Sequence, residues 1–338
     1  MLRSGDAGGF VRHRRVVYGA RVGRWLWWLL GAALVAAVVV AALHVSEAEA
    51  FVRIARRTEP SWLLVAVVLQ AATYAVQGRV WRLVAGAARF DLSRATAYAL
   101  SLAKLFVDQA LPSGGISGTV MMAGALEAQG MARPAVMATV VVNTAAYYAA
   151  YVLSLAAALG VAIGHRQANP LVVWTALAFA IFGVVVTTSV LALSGAQTPA
   201  FARRGPLARA LGFLEEADPA LARRPRLVLA ATACHLGIVA LDAATMWVLV
   251  RALGAAASPA GVFASFMISS LLRTVGVLPG GLGTFEATSV VTLHMVGVDV
   301  PVGLAATLLF RGLSFWLPMP LGLWCSRRVV TPRPAAEA

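Results

Sequence analysis

The stretch Leu278-Pro279-Gly280-Gly281-Leu282-Gly283-Thr284-Phe285-Glu286 lies between two apolar runs, 258–277 and 284–296, and its reading decides the fold. Proline removes a backbone donor and glycine admits positive φ, so a helix arriving along 258–277 must break here. A new helix is predicted to restart near Thr284. At 1.5 Å per residue the run 284–296 is only about 20 Å long, short of a hydrocarbon core of ~30 Å. Apolar runs of that length are candidates for re-entrant half-helices. Broken backbone is tolerated at membrane depth only where protein or a wet cavity satisfies it. The restarting helix offers free N–H groups and the positive end of its dipole, which suits an anion.

The surrounding chain makes a membrane the natural solvent. Its 338 residues are 60% hydrophobic and 12% charged, with a mean hydropathy of +0.80. A soluble domain carries about 25% charged residues, so a disordered chain and a cytosolic globular enzyme are both excluded. Apolar segments run over 25–43, 61–78, 95–111, 116–129, 134–162, 170–193, 227–250, 258–277, 284–296 and 301–325. Two of these, 116–129 and 284–296, are too short to cross. The predicted fold is an all-α polytopic integral membrane protein with about eight spanning helices and two re-entrant half-helices. The first run, 25–43, precedes Ala48-Glu49-Ala50, which resembles a signal cleavage site. Its 19 residues exceed a signal core of about 7–15, which favours an uncleaved first span.

The break recurs. Leu111-Pro112-Ser113-Gly114-Gly115 answers Leu278-Pro279-Gly280-Gly281 at an offset of 167 residues, and the same offset maps Gly130 to Gly297 and Pro134 to Pro301. The membrane domain 25–325 is therefore read as two halves, about 25–162 and 170–325, with a linker at 197–226 inside the second. An odd number of segments in each half predicts an inverted repeat, a design common among transporters.

The net charge of +14 has a topological explanation rather than a nucleic-acid one. Arginines cluster in the N-terminal 1–24, in 79–94, in 197–226 and in the tail 326–338. The positive-inside rule places these four regions in the cytoplasm and 163–169 outside. The linker, with Glu215, Glu216 and Asp218 among its arginines, is expected to lie as an amphipathic helix on the inner face. Cys234 and Cys325 have neither disulfide-framework density nor metal spacing. No G-x-x-x-x-G-K-[ST], H-E-x-x-H or G-x-S-x-G motif occurs, so no cofactor, metal or catalytic residue is expected.

Ionisable residues inside or at the ends of apolar runs are Lys104, Asp108, Asp242, Arg273, Glu286 and Arg311. A charge at the bilayer centre costs at least ~2.5–3.5 kcal/mol, so such residues face a cavity and pair. Lys104 and Asp108, four apart, can pair along one helix face, either to pin helices or to serve a site. Glu286 has Arg273 and Arg311 as candidate partners, and its place in the first helical turn also suits a dipole-complementing cap. His235 and His294 are read as hydrogen-bonded packing residues. The candidate headgroup site comprises Lys104, Asp108, Pro112, Ser113, Gly114, Gly115, Arg273, Pro279, Gly280, Gly281, Gly283, Thr284, Glu286 and Arg311.

The string from Leu278 to Glu286, followed by Gly297, Pro301 and Arg311-Gly312-Leu313-Ser314-Phe315-Trp316, resembles the C-terminal signature of the lysylphosphatidylglycerol synthase transmembrane-region family. These are also called flippase-like domain proteins. The resemblance spans roughly residues 20–327. It implies a bacterial inner-membrane protein that handles lipids. Some relatives join this domain to a cytosolic aminoacyltransferase that charges phosphatidylglycerol with lysine, while others stand alone in glycolipid or hopanoid pathways. Pro279, Gly280, Gly281, Gly283, Glu286 and Arg311 match the motif. In the first half the family pattern follows a glycine with an acidic residue and then an arginine, whereas Gly118-Thr119-Val120-Met121-Met122 supplies neither charge. The sequence ends about ten residues past its last apolar run, so a stand-alone form is expected. The implied function is translocation of an anionic or polyprenyl-linked lipid. The alternative is a membrane-embedded transferase, or an accessory subunit to a lipid-modifying enzyme partner.

Overall fold

Prolines open the helices. Pro60, Pro170, Pro225 and Pro259 each begin one, at the position where a missing N–H costs least. The structure, a computed structural model, describes residues 60–111, 115–164, 170–196, 212, 214–275 and 281–330. The expected first span 25–43, the termini, 165–169, the linker through 211 and the breaks at 112–114 and 276–280 lie outside the described residues. Helices α1 (Pro60–Ala87), α2 (Arg94–Ala110), α3 (Ile116–Ala128), α4 (Arg133–Gly164) and α5 (Pro170–Leu193) are followed by a single turn at Pro219–Ala222. Then come α6 (Pro225–Ala252), α7 (Pro259–Val275), α8 (Thr284–Met295), α9 (Val300–Arg311), a π-helical turn (Gly312–Trp316) and α10 (Pro318–Val330). No strand occurs among the described residues.

Among the described residues five helical stretches are long and apolar enough to cross a membrane: Pro60–Ala87, Arg133–Gly164, Val173–Leu193, Pro225–Ala252 and the continuous Val300–Arg328. The expected count of about eight also included the runs that became α2 and α7. These helices have 17 residues each, about 25 Å at 1.5 Å per residue. Each packs against the shorter helix that follows it, α2 on α3 and α7 on α8.

The helices follow a similar order of lengths and contacts before and after residue 200. α1 and α6 both have 28 residues, and α2 and α7 both have 17. α3 and α8 have 13 and 12. α4 has 32 residues and its counterpart Val300–Arg328 has 29. α1 lies along α6, while α10 lies along α2 as α4 lies along α7. Two apolar clusters form the core, and each draws on both halves of the chain. One gathers Trp81, Leu100, Met122, Leu126 and Met137 from α1 to α4 together with Leu227 and Ala231 of α6. The other gathers Leu249, Met267, Leu271, Phe285, Leu293 and Phe310 from α6 to α9 together with Ala66 of α1 and Tyr151 and Leu155 of α4. Small residues allow the closest crossings: Gly78 sits against the Ala97 backbone, and Gly322 sits against the Leu102 carbonyl.

Two of the basic segments meet. Leu92, Met131, Ala217 and Ala222 share the first core, so the 79–94 loop and the end of the linker pack together. Arg133 pairs with Glu216 at 2.6 Å and Glu127 at 3.2 Å. Arg223 donates to the carbonyls of Leu191, Ala192 and Ser194 at 2.9, 2.7 and 2.6 Å, closing the C-terminus of α5. Arg223→Ala leaves those carbonyls to water and should lower unfolding free energy by about 1 kcal/mol, measurable by thermal unfolding in detergent.

Candidate functional site

In the second half, positive φ at Gly281 (64°) and Gly283 (82°) turns the chain into α8. Thr284 Oγ1 donates to the Gly281 carbonyl at 3.0 Å. Glu286 performs both tasks its position suggests. Its Oε2 accepts the Gly283 N–H at 2.6 Å, and its Oε1 accepts from Arg311 Nε at 2.6 Å. Of the two candidate partners, the ion pair is therefore with Arg311, which is only 3% exposed. The Arg311 guanidinium also lies 5.5 Å from the Phe285 ring centre and 4.6 Å from that of Phe315. Arg311 is the last residue before the π-helical turn, a local widening that often marks functional positions. Arg273, exposed on α7, approaches the same Phe285 ring at 5.9 Å. Gly281 lies against the Arg273 stem so closely that a Cβ would collide with it. Among the described residues Arg273 forms no ion pair, and Asp242, Tyr147 and Arg311 are within its electrostatic reach.

The first half reaches the same chemistry by another route. Asp108 Oδ2 pairs with Lys104 Nζ. Its Oδ1 accepts the Gly118 N–H at 2.9 Å. A carboxylate thus caps α3 as Glu286 caps α8, but it comes from the preceding helix. Gly118 is what admits it: a Cβ there would be 2.6 Å from Asp108 Cγ and 2.7 Å from the Lys104 carbonyl oxygen. The negative charge missing from Gly118-Thr119-Val120 is therefore supplied in space by Asp108.

The two halves touch beside these pairs. Gln109 Nε2 reaches the Ser314 carbonyl in the π-helical turn at 3.5 Å, next to the segment that carries Arg311. Gly115, with φ of 87°, starts α3. Pro112, Ser113, Gly114, Pro279 and Gly280 lie outside the described residues.

Behind the ion pairs runs a second polar layer that sequence reasoning did not assemble. Gln77 Nε2 donates to Asn143 Oδ1 at 3.2 Å, and the same oxygen lies 3.2 Å from His235 Nε2. His235 is thus the hydrogen-bonded packing residue that its isolation suggested. Gln70 Nε2 donates to Asp242 Oδ1 at 3.2 Å. The available signal was an amide inside an apolar run: Gln70 and Gln77 in α1 and Asn143 in α4.

Long apolar helices around two carboxylate-capped, ion-paired helix starts define a multi-helix membrane protein. The family pattern described as lysylphosphatidylglycerol synthase TM region matches residues 28–322, and the chain belongs to this family. Among curated proteins none matches the chain.

Proposed function

We propose that the protein translocates an anionic or polyprenyl-linked lipid between the leaflets of the bacterial inner membrane. The observation that carries this reading is the pair of helix starts: Gly118 N–H on Asp108 with Lys104, and Gly283 N–H on Glu286 with Arg311. Each is an anion-binding arrangement filled by the protein's own carboxylate. A lipid phosphate that displaced either carboxylate would inherit the same N–H donor and the same cation. Arg273, exposed and without an ion pair among the described residues, is the first contact for such a headgroup. Acyl chains stay in the bilayer while the headgroup alone enters. The matched helix lengths and reciprocal packing support an inverted repeat with re-entrant α2–α3 and α7–α8 pairs, the arrangement that alternating access exploits. The arginine-rich segments then face the cytoplasm.

Reconstitution tests it. Vesicles carrying a fluorescent phosphatidylglycerol or a fluorescent polyprenyl phosphate in the inner leaflet are quenched from outside by dithionite. The protein should speed exposure of at least one probe over protein-free vesicles and leave a phosphatidylcholine probe slower. Lys104→Ala or Arg273→Ala removes a charge-assisted contact worth ~1.5–3 kcal/mol, a loss of roughly tenfold to a hundredfold in rate. Equal rates with and without protein for both anionic probes would overturn the proposal.

A further inference from the structure

Asp242 stands well inside α6 and is served by one amide. Gln70 Nε2 donates to its Oδ1 at 3.2 Å and shares its protons with Thr73 Oγ1 at 3.2 Å and Tyr74 Oη at 3.5 Å. Gln70 is 5% exposed, and its Oε1 has no partner among the described residues. The titratable and charged groups around Asp242 come from every neighbouring helix. α1 contributes Tyr74. α7 contributes Arg273, in electrostatic reach but outside ion-pair distance. α4 contributes Tyr147 and Tyr151, whose ring centres lie 5.8 Å apart, with Arg273 in electrostatic reach of both. α6 itself carries His235, bonded to Asn143 with Lys104 of α2 within reach. α9 contributes Arg311, held by Glu286. A carboxylate at membrane depth without a paired cation is costly while ionised, and a proton removes that cost.

We propose that Asp242 is a proton-binding site coupled to anion occupancy at Arg273. This rests on the lipid-transport reading above. With the site empty, the Arg273 charge favours the Asp242 carboxylate. When a phosphate headgroup takes that charge, the carboxylate binds one proton from water and becomes a neutral acid. A half-turn of the Gln70 amide presents Oε1 as acceptor for the new O–H. Coupling is reciprocal, so protonation strengthens headgroup binding as much as binding favours protonation.

The test uses purified protein in phosphatidylcholine nanodiscs titrated with short-chain phosphatidylglycerol, with binding read by calorimetry and proton uptake by a pH-indicator dye. Wild type should take up as much as one proton per lipid bound. Its affinity should weaken by up to about tenfold per pH unit above the Asp242 titration. Asp242→Asn should bind with no proton uptake and no such pH dependence, and Asp242→Glu should retain both. Wild-type binding without proton uptake overturns this coupling and leaves the transport reading standing. Binding neither of phosphatidylglycerol nor of a short-chain polyprenyl phosphate titrated in the same way overturns both.

Discussion

Glu286→Gln should lower the unfolding free energy by about 3–5 kcal/mol and stop lipid movement, because it takes the paired carboxylate away from a buried guanidinium. Removing one partner of a buried pair costs that much, since the remaining charge keeps its desolvation penalty. Arg311 is 3% exposed. The Phe285 and Phe315 rings that flank it offer cation–π attraction but no counter-charge. Glutamine keeps the shape and can still accept the Gly283 N–H, so the loss isolates the charge. The paired change Glu286→Gln/Arg311→Met replaces the ion pair by neutral groups of similar size and should recover most of the stability. It should not recover translocation, because the cation that would meet a phosphate is gone. Thermal unfolding in detergent beside the dithionite assay separates the two effects. If Glu286→Gln unfolds at the wild-type temperature and moves lipid at the wild-type rate, Glu286 neither pairs nor participates.

The helices were legible because their signals are local. A proline at the first helical position, an apolar run and a glycine after it sit within a few residues of one another, as at Pro225 and Gly254. The breaks were legible for the same reason, and so was Glu286 as a cap three residues after Gly283. The choice of Arg311 over Arg273 as its partner was not legible. Both lie within reach in sequence, and only the packing of α8 on α9 decides between them. The π-helical turn at Gly312–Trp316 left no readable trace, since its extra residue per turn serves a fit between α9, α10 and the end of α2. Asp108 shows the limit most clearly. Its pairing with Lys104 follows from a four-residue spacing on one helix, whereas its bond to Gly118 crosses a chain break. Gly118-Thr119-Val120 carries no acidic residue, and the carboxylate at the start of α3 comes from another helix. Polar contacts between α1, α4 and α6 likewise join residues 66 to 172 positions apart, which no short-range pattern encodes.

The Asp108 carboxylate makes Gly118 the most constrained position in α3, and a pair of alanine substitutions in one helix exposes it. Gly124→Ala should stabilise the protein slightly: nothing lies within 4 Å of a Cβ there, and alanine is better than glycine in a helix by up to ~1 kcal/mol. Gly118→Ala should do the reverse despite the same gain in propensity. Its methyl group would lie 2.6 Å from Asp108 Cγ and 2.7 Å from the Lys104 carbonyl oxygen. The carbonyl belongs to the α2 backbone and cannot swing aside, so α2 and α3 must separate, and the Asp108 side chain must leave the start of α3. Overpacking of this kind costs ~1–3 kcal/mol, and the lost carboxylate cap adds ~0.5–2 kcal/mol. The net change should be a loss of roughly 1–4 kcal/mol against a small gain at Gly124. Asp108→Ala/Gly118→Ala opens the space again and should regain part of the overpacking cost but not the cap. Thermal unfolding of the three variants checks the order. If Gly118→Ala and Gly124→Ala shift the midpoint alike, the carboxylate does not hold the start of α3, and the resemblance between the two helix starts loses its first-half member.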